Sequence, residues 1–304
     1  MNDQLGWNLT IQQINIFLQS VALRNFTKVA TALNFTPSMI SKTIMTIEKE
    51  LDMELFIRKP HELTPTAAAL LLAEEWRQFT GSFDNSIKKV KTFIDEQTYR
   101  ILLGFVDSSD QVDRLMKQLI LDHTKKNPQI NIISEKHDMH RSVELLHFGM
   151  LDLAITNEIE LPYIEEHHLC WEKLMTTNVT AFVPGNNPLF KKDHITFLDL
   201  KDQPLLGLDA KMHPGYNKWL YDLCKQNGFI PNIENHYRTV RSLMFGLELK
   251  NDIFIGDSIT SDWAGENLKA FDLGVPSYAL IVYRKDASPI ILNFKNYVIN
   301  KFKQ

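Results

Sequence analysis

Two cysteines, Cys170 and Cys224, are all that the 304 residues contain, too few for a disulfide framework. No uninterrupted apolar run reaches the ~18 residues that a membrane span needs, and the first residues carry no basic-then-apolar leader. The expectation is a soluble, cytoplasmic protein with no membrane partner. A net positive charge is lacking as well: 33 Lys and Arg stand against 37 Asp and Glu, giving −4 and a pI near 6.2. That sum first argues against a nucleic-acid partner, but it averages away any local face, and the face is what meets phosphate. A glycine-rich phosphate loop and a nucleophile motif are both missing, so Asp138, His140 and Arg141 read as a solvated helix start and no enzyme is expected. Glu165-Glu166-His167-His168 with Cys170 lacks a second cluster at zinc-site spacing, so no metal and no cofactor is expected. Lone cysteines of this kind read as inert rather than as a redox switch. Hydrophobic residues, at 44%, fill ordinary cores, and the length has room for a small domain plus one or two larger ones.

What is present is concentrated in residues 26–58. Two helical patterns are separated by a tight break, and the second opens on Thr36-Pro37-Ser38. Val29, Ala30 and Leu33 share a face of the first; Ile40, Ile44, Ile47 and Leu51 share a face of the second. Ser38, Ser41, Lys42, Met45 and Lys49 occupy the opposite face, with Thr36 as cap and Pro37 at the first helical position. Two short helices crossed in this way form a helix-turn-helix, whose second helix enters the major groove. Leu55–Arg58 and Leu63-Thr64 flank a turn at Pro60 and read as a small wing carrying Arg58, Lys59 and His61. With Arg24, Lys28, Lys42 and Lys49 this makes a modest basic set, so binding should be salt-sensitive.

Phe26-Thr27, Thr36 through Ser41, Ile47-Glu48, Leu51-Asp52, Leu55-Phe56-Ile57-Arg58 and Leu63-Thr64-Pro65 together resemble the DNA-binding domain of the LysR-type transcriptional regulators. Pro37-Ser38 departs from that family's Gln-Pro, Asp52 from its Gly, and Thr66-Ala67 from its Ala-Gly, and the connection from Arg58 to Leu63 is shorter than its usual wing. The resemblance implies DNA contacts from Thr36, Pro37, Ser38, Ser41 and Lys42, with Arg58 and Lys59 on the backbone or minor groove. Base preference is left open by the altered helix start.

From Thr66 to about Glu96 runs one long helical pattern. Leu72, Trp76, Phe79, Phe83, Ile87, Val90 and Ile94 recur at gaps of three and four, the signature of a two-stranded seam; a helix packed on its own domain is the alternative. The rest alternates strand and helix patterns, which implies parallel pairing and right-handed crossovers. Expected strands are 101–106, 130–134, 151–155, 179–183, 205–208, 253–255 and 278–283. Helices are expected after the first strand, at 140–148, 214–227 and 240–250, and at 287–302.

This order resembles the LysR-type effector domain, a two-lobed fold like a periplasmic binding protein, supported by Asp152-Leu153-Ala154-Ile155, Val183-Pro184 with Pro188-Leu189, and Thr196 through Leu200. The fold class expected is therefore α/β, with an N-terminal all-α winged helix-turn-helix. Its domains would be 1–65, a linker and dimerisation helix 66–97, and an effector domain 98–304, with lobe 1 at 98–164 and 272–304 and lobe 2 at 165–271. Lys250-Asn251-Asp252 replaces a Gly-Leu-Gly turn, with Asn251 the candidate for a left-handed conformation.

Ligands of open α/β lobes bind beyond the carboxyl ends of strands. Ser108, Ser109, Thr156 and Asn157 hold such positions in lobe 1. Lys211, His213 and Tyr216 precede one helix of lobe 2, and Arg241 and Ser242 open the next. The cations point to an anionic effector; helix caps and surface charges are the bland alternative. The expected function is a DNA-binding transcriptional regulator responding to a small molecule. Its expected partners are double-stranded DNA, a second copy or a dimer of dimers, and, as a further candidate, RNA polymerase. Two rivals stand beside it: a ligand-independent repressor whose α/β domain only oligomerises, and a solute-binding protein with an added domain.

Overall fold

Thr10 starts the first helix of the computed structural model, which describes residues 8–59, 62–96, 98–106, 110–247, 250–259 and 265–302. Its hydroxyl accepts the Gln13 N–H at 3.2 Å while the Gln13 side-chain Oε1 accepts the Thr10 N–H at 2.8 Å, a capping box that opens α1 (Ile11–Leu23). Asn25 caps α2 (Phe26–Leu33) and Thr36 caps α3 (Pro37–Leu51), each accepting the N–H three residues on. All three helices stop at a residue forced into the left-handed region: Arg24 at φ 48°, Asn34 at 58° and Asp52 at 51°. β1 (Phe56–Lys59) and β2 (Glu62–Pro65) pair antiparallel and form the wing expected on this helical domain.

The inward stripe read from the sequence is the core of this unit. Ile40, Ile44 and Ile47 are fully buried with Phe17, Val29 and Leu55. α4 (Ala67–Glu96) adds Ala69 and Ala73 to that core, and Leu72 and Trp76 pack against it, Trp76 edge-on to Phe17 at 5.0 Å. Leu72 and Trp76 are half-buried against this domain's own core, which takes up part of the face expected to form the seam. Beyond them the stripe changes character: Phe79, Phe83, Ile87, Val90 and Ile94 are exposed.

The chain divides between Lys88 and Lys89 into two compact units. The second is built on a six-stranded sheet in the order β4-β3-β5-β10-β6-β9, formed by β3 (Tyr99–Val106), β4 (Ile130–His137), β5 (Leu153–Asn157), β6 (Cys170–Pro184), β9 (Phe254–Asp257) and β10 (Leu268–Tyr283). Only β3 with β4 and β3 with β5 pair parallel; β10 runs antiparallel to β5 and β6, and β6 antiparallel to β9, so the sheet is mixed rather than parallel throughout.

Alternate residues of β3 serve opposite faces, as strand geometry requires. Ile101 and Leu103 pack under α5 (Asp110–Lys126) and α11 (Pro289–Phe302), whereas Leu102 packs under α6 (Met139–His147) and α7 (Leu161–Glu166). Gly104 is required by this packing, because a Cβ there would come within 2.3 Å of the Leu151 side chain. Lobe 2 carries a second, parallel pair, β7 (Pro204–Leu208) with β8 (Asn232–Tyr237), flanked by α9 (Pro214–Gln226) and α10 (Val240–Leu247). β8 had no counterpart in the expected strands: Asn232–Tyr237 reads Asn-Ile-Glu-Asn-His-Tyr, with too few apolar residues for the pattern to stand out.

β6 and β10 are the long strands that pass from lobe 1 to lobe 2. Their pairing is interrupted between Asp272 and Pro276, where Gly274 takes φ 71°. The expected lobe border at 271/272 lies just before this break. The one at 164/165 precedes the crossing: Ile164 and, further on, Leu174 still pack in lobe 1 cores, so the outward crossing lies along β6. Asn251 does not take a left-handed conformation either; its carbonyl instead accepts a hydrogen bond from Asn187 at 2.9 Å.

Candidate functional site

The outer side of α3 is polar and thioether-rich. Thr36, Pro37, Ser38, Lys42, Met45 and Lys49 are exposed, Ser41 is half-buried, and Met39 adds a second exposed thioether. The helix is held from behind by its three buried isoleucines, so these side chains project from a fixed rod. Arg58 is placed differently from a free phosphate cation. Its guanidinium donates to Glu48 Oε2 at 2.7 Å and lies 5.7 Å from the centre of the Phe26 ring. Glu48 Oε1 in turn accepts the N–H groups of Leu55 and Phe56, both at 3.0 Å. Glu48 thus pins the wing to α3, a role visible only once the two elements are brought together. The Lys59 side chain lies outside the described residues, as do Pro60 and His61.

The second candidate site is a cavity of about 60 Å³ between the lobes of the C-terminal unit, walled by Phe105, Met139, Ile155, Val240, Phe254 and Ile259 among others. Of the expected ligand residues, Thr156, Asn157 and Tyr216 line it. The Tyr216 hydroxyl donates to Ile255 O at 2.6 Å, and its burial holds the phenol well above its ordinary pKa, so it is a neutral wall group. Ser108 and Ser109 lie outside the described residues. Lys211, His213, Arg241 and Ser242 do not line the cavity. Lys211 and Arg241 are exposed, and the Ser242 N–H donates to Thr239 Oγ1 at 3.1 Å. His213 is fully buried, with Nε2 3.0 Å from the Arg238 carbonyl. Burial pushes the Cys224 thiol up to about 12, which keeps it protonated and unreactive at neutral pH.

Asp257 is the wall residue that sequence reasoning missed. It ends β9 as Asn157 ends β5, and both make the same turn: Asn157 Oδ1 accepts the Ile159 N–H at 3.2 Å, and Asp257 Oδ1 accepts the Ile259 N–H at 2.9 Å. The signal was present in the chain as Ile155-Thr156-Asn157-Glu158-Ile159 and Ile255-Gly256-Asp257-Ser258-Ile259. The two lobes bring corresponding strand ends to one cavity.

Comparison with known proteins agrees with this architecture. The family described as "Bacterial regulatory helix-turn-helix protein, lysR family" matches residues 11–70, and "LysR substrate binding domain" matches residues 95–245. The HTH-type transcriptional regulator AlsR of Bacillus subtilis is 24% identical over 225 residues, covering 74% of this chain and 72% of that protein. The uncharacterized HTH-type transcriptional regulator YybE of the same organism is 21% identical over 96% of this chain and 99% of its own length. Among solved structures, CbnR, a LysR family transcriptional regulator, superposes with a TM-score of 0.67 at 14% identity, covering 97% of this chain and 100% of that one. CbnR complexed with its target DNA gives 0.66 at 13% identity with the same coverage, and full-length BenM 0.55 at 18% identity over 96% of both chains. A helix-turn-helix head, a two-lobed domain with crossing strands, and family matches to both leave one conclusion: this chain belongs to the LysR family of DNA-binding transcriptional regulators.

Proposed function

We propose that this protein reads an interrupted palindromic operator through paired copies of α3 and that a small molecule held between its lobes adjusts that reading. The observation that carries the reading is the outer side of α3, where Ser38, Ser41, Lys42 and two exposed methionines stand on a helix with a fully buried back. Lys42 suits guanine O6 and N7, serine hydroxyls suit several base edges, and the Met39 and Met45 thioethers suit the methyl group of thymine. Thr36 is occupied as a cap, and Arg58 is occupied by Glu48, so both position the head rather than read bases. The exposed stripe Phe79, Phe83, Ile87, Val90 and Ile94 supplies the self-association that pairs two heads. CbnR was crystallised with its target DNA, which supports the same use of the fold here.

Ligand occupancy would act by favouring one lobe arrangement over another, and only to the extent that the ligand binds the two unequally. Lys42→Ala is expected to weaken operator binding about tenfold or more without altering the oligomeric state. Gel shifts on operator and random duplex, run beside sizing chromatography, test this. Unchanged operator affinity would remove Lys42 from the reading surface.

A further inference from the structure

The wall of the cavity does not suit the anion that the sequence led us to expect. Resting on the effector-responsive reading above, we infer that the ligand is a small, non-anionic molecule with an apolar body and a hydrogen-bond donor, and that Asp257 senses it. Most of the lining is hydrocarbon or aromatic, and no Lys, Arg or His occurs among the described lining residues.

Asn157 Oδ1 and the Tyr216 hydroxyl are already engaged with the backbone, and two further polar groups of the wall define the ligand. Thr156 is 3% exposed, and its Oγ1 has no hydrogen-bond partner among the described residues. Asp257 is 8% exposed and places a carboxylate in the same wall. A second carboxyl, Glu158, is close enough to feel it. Burial pushes the Glu158 carboxyl up, the Ser277 hydroxyl pulls it down, Asp257 adds to the rise and Lys173 opposes it. Lys173 itself lies over the Tyr278 ring, 3.7 Å from its centre, and is not part of the lining. An organic anion would lose its water in this site and meet negative charge in return. A donor meets an acceptor.

Asp257 is also bound to the part of the fold that must move if the lobes do. Thr177 of β6 and Ser277 of β10 are register partners on the crossing strands, and both hydroxyls donate to Asp257 Oδ2, at 2.7 and 2.9 Å. The next residue along β6, Asn178, donates its backbone N–H to Ser258 Oγ at 3.0 Å and its side-chain amide to Asp272 Oδ2 at 2.7 Å. Asp272 is where the β6–β10 register breaks. A ligand donor drawn to Asp257 therefore competes for the carboxylate that fastens the crossing ribbon beside its bulge. Occupancy of the cavity and the set of the two lobes share one group.

The test uses the intact protein and three probes of one shape: isobutylamine, isobutanol and isobutyrate, each titrated by thermal shift. The amine and the alcohol are expected to bind at least about tenfold more tightly than isobutyrate. Asp257→Asn should abolish the preference of amine over carboxylate. Thr156→Val, which leaves the clasp on the ribbon untouched, should weaken the alcohol about tenfold and serves if the Asp257 variant does not fold. Tightest binding by isobutyrate, a preference that survives Asp257→Asn, or Thr156→Val titrating like wild type would each overturn the inference. Tight isobutyrate binding would leave the effector-responsive reading standing while removing this ligand class. Failure of all three probes overturns the ligand class as well, and operator footprints with and without cell extract then decide separately whether any effector acts.

Discussion

Asp52 closes the reading helix at φ 51° and ψ 42°, a conformation that costs an L-residue free energy and costs glycine little. Its N–H donates to the carbonyls of α3's last turn, so the backbone needs the left-handed turn whatever the side chain. Asp52→Gly is accordingly expected to stabilise the N-terminal unit by about 0.5–1 kcal/mol. Denaturant melts of the full chain followed through the helix signal check this, and a lower midpoint in the variant would contradict it. Single residues of this kind were legible when their role is local. The Thr36 cap, the Pro37 start and the buried isoleucines of α3 could be read because each depends on neighbours within a turn of helix. Arg58 could not be read as an ion-paired residue for the opposite reason. Its partner Glu48 lies ten positions back, and only the fold of the wing onto α3 brings the two within 2.7 Å.

At the scale of elements, the stripe on α4 shows how one periodicity can serve two surfaces. Leu72 and Trp76 fall on the same heptad pattern as Phe83 and Ile87, yet the first pair packs on the core of the helix-turn-helix and the second is exposed. Spacing reveals which side chains share a face of a helix, not what that face meets. The difference can be measured. Phe83→Glu with Ile87→Glu is expected to raise the dissociation constant for self-association about a hundredfold while sparing the unfolding midpoint of the N-terminal unit. Trp76→Ala should do the reverse, lowering that unit's stability by about 3 kcal/mol with self-association retained. Light scattering and thermal melts of the two variants read both quantities, and a monomeric Trp76→Ala protein of normal stability would refute the division. Elements with strong apolar runs, such as β3 and β7, were likewise legible, whereas β8 is polar along much of its length and is recognised as a strand only through its pairing with β7.

For the whole molecule, the sequence motifs and the strand–helix alternation led to a two-lobed fold, but alternation alone overstated parallel pairing. β6 and β10 run antiparallel because they carry the chain out of lobe 1 and back, and that relationship involves residues about a hundred positions apart. The cavity had the same long reach. Asp257 and Asn157 became partners in one wall only when the two lobes met. If two heads are paired through α4, hydroxyl-radical footprints should show two protected tracts about one or more helical turns apart, and a duplex carrying one half-site should bind at least about a hundredfold more weakly. Equal affinity for one half-site and two would leave the exposed stripe without a role in reading DNA.

The crossing strands have a further consequence for how such a chain can be taken apart. Thr177 and Ser277 face each other across the ribbon, so everything between them, the whole of lobe 2, departs from and rejoins lobe 1 at adjacent points. In modular terms lobe 2 is an insertion into a hairpin. Splicing the chain from Thr177 to Ser277 through a two-residue turn would delete it with the remaining strands still in register, and a foreign module grafted at the same gap would inherit a hydrogen-bonded anchor already in place.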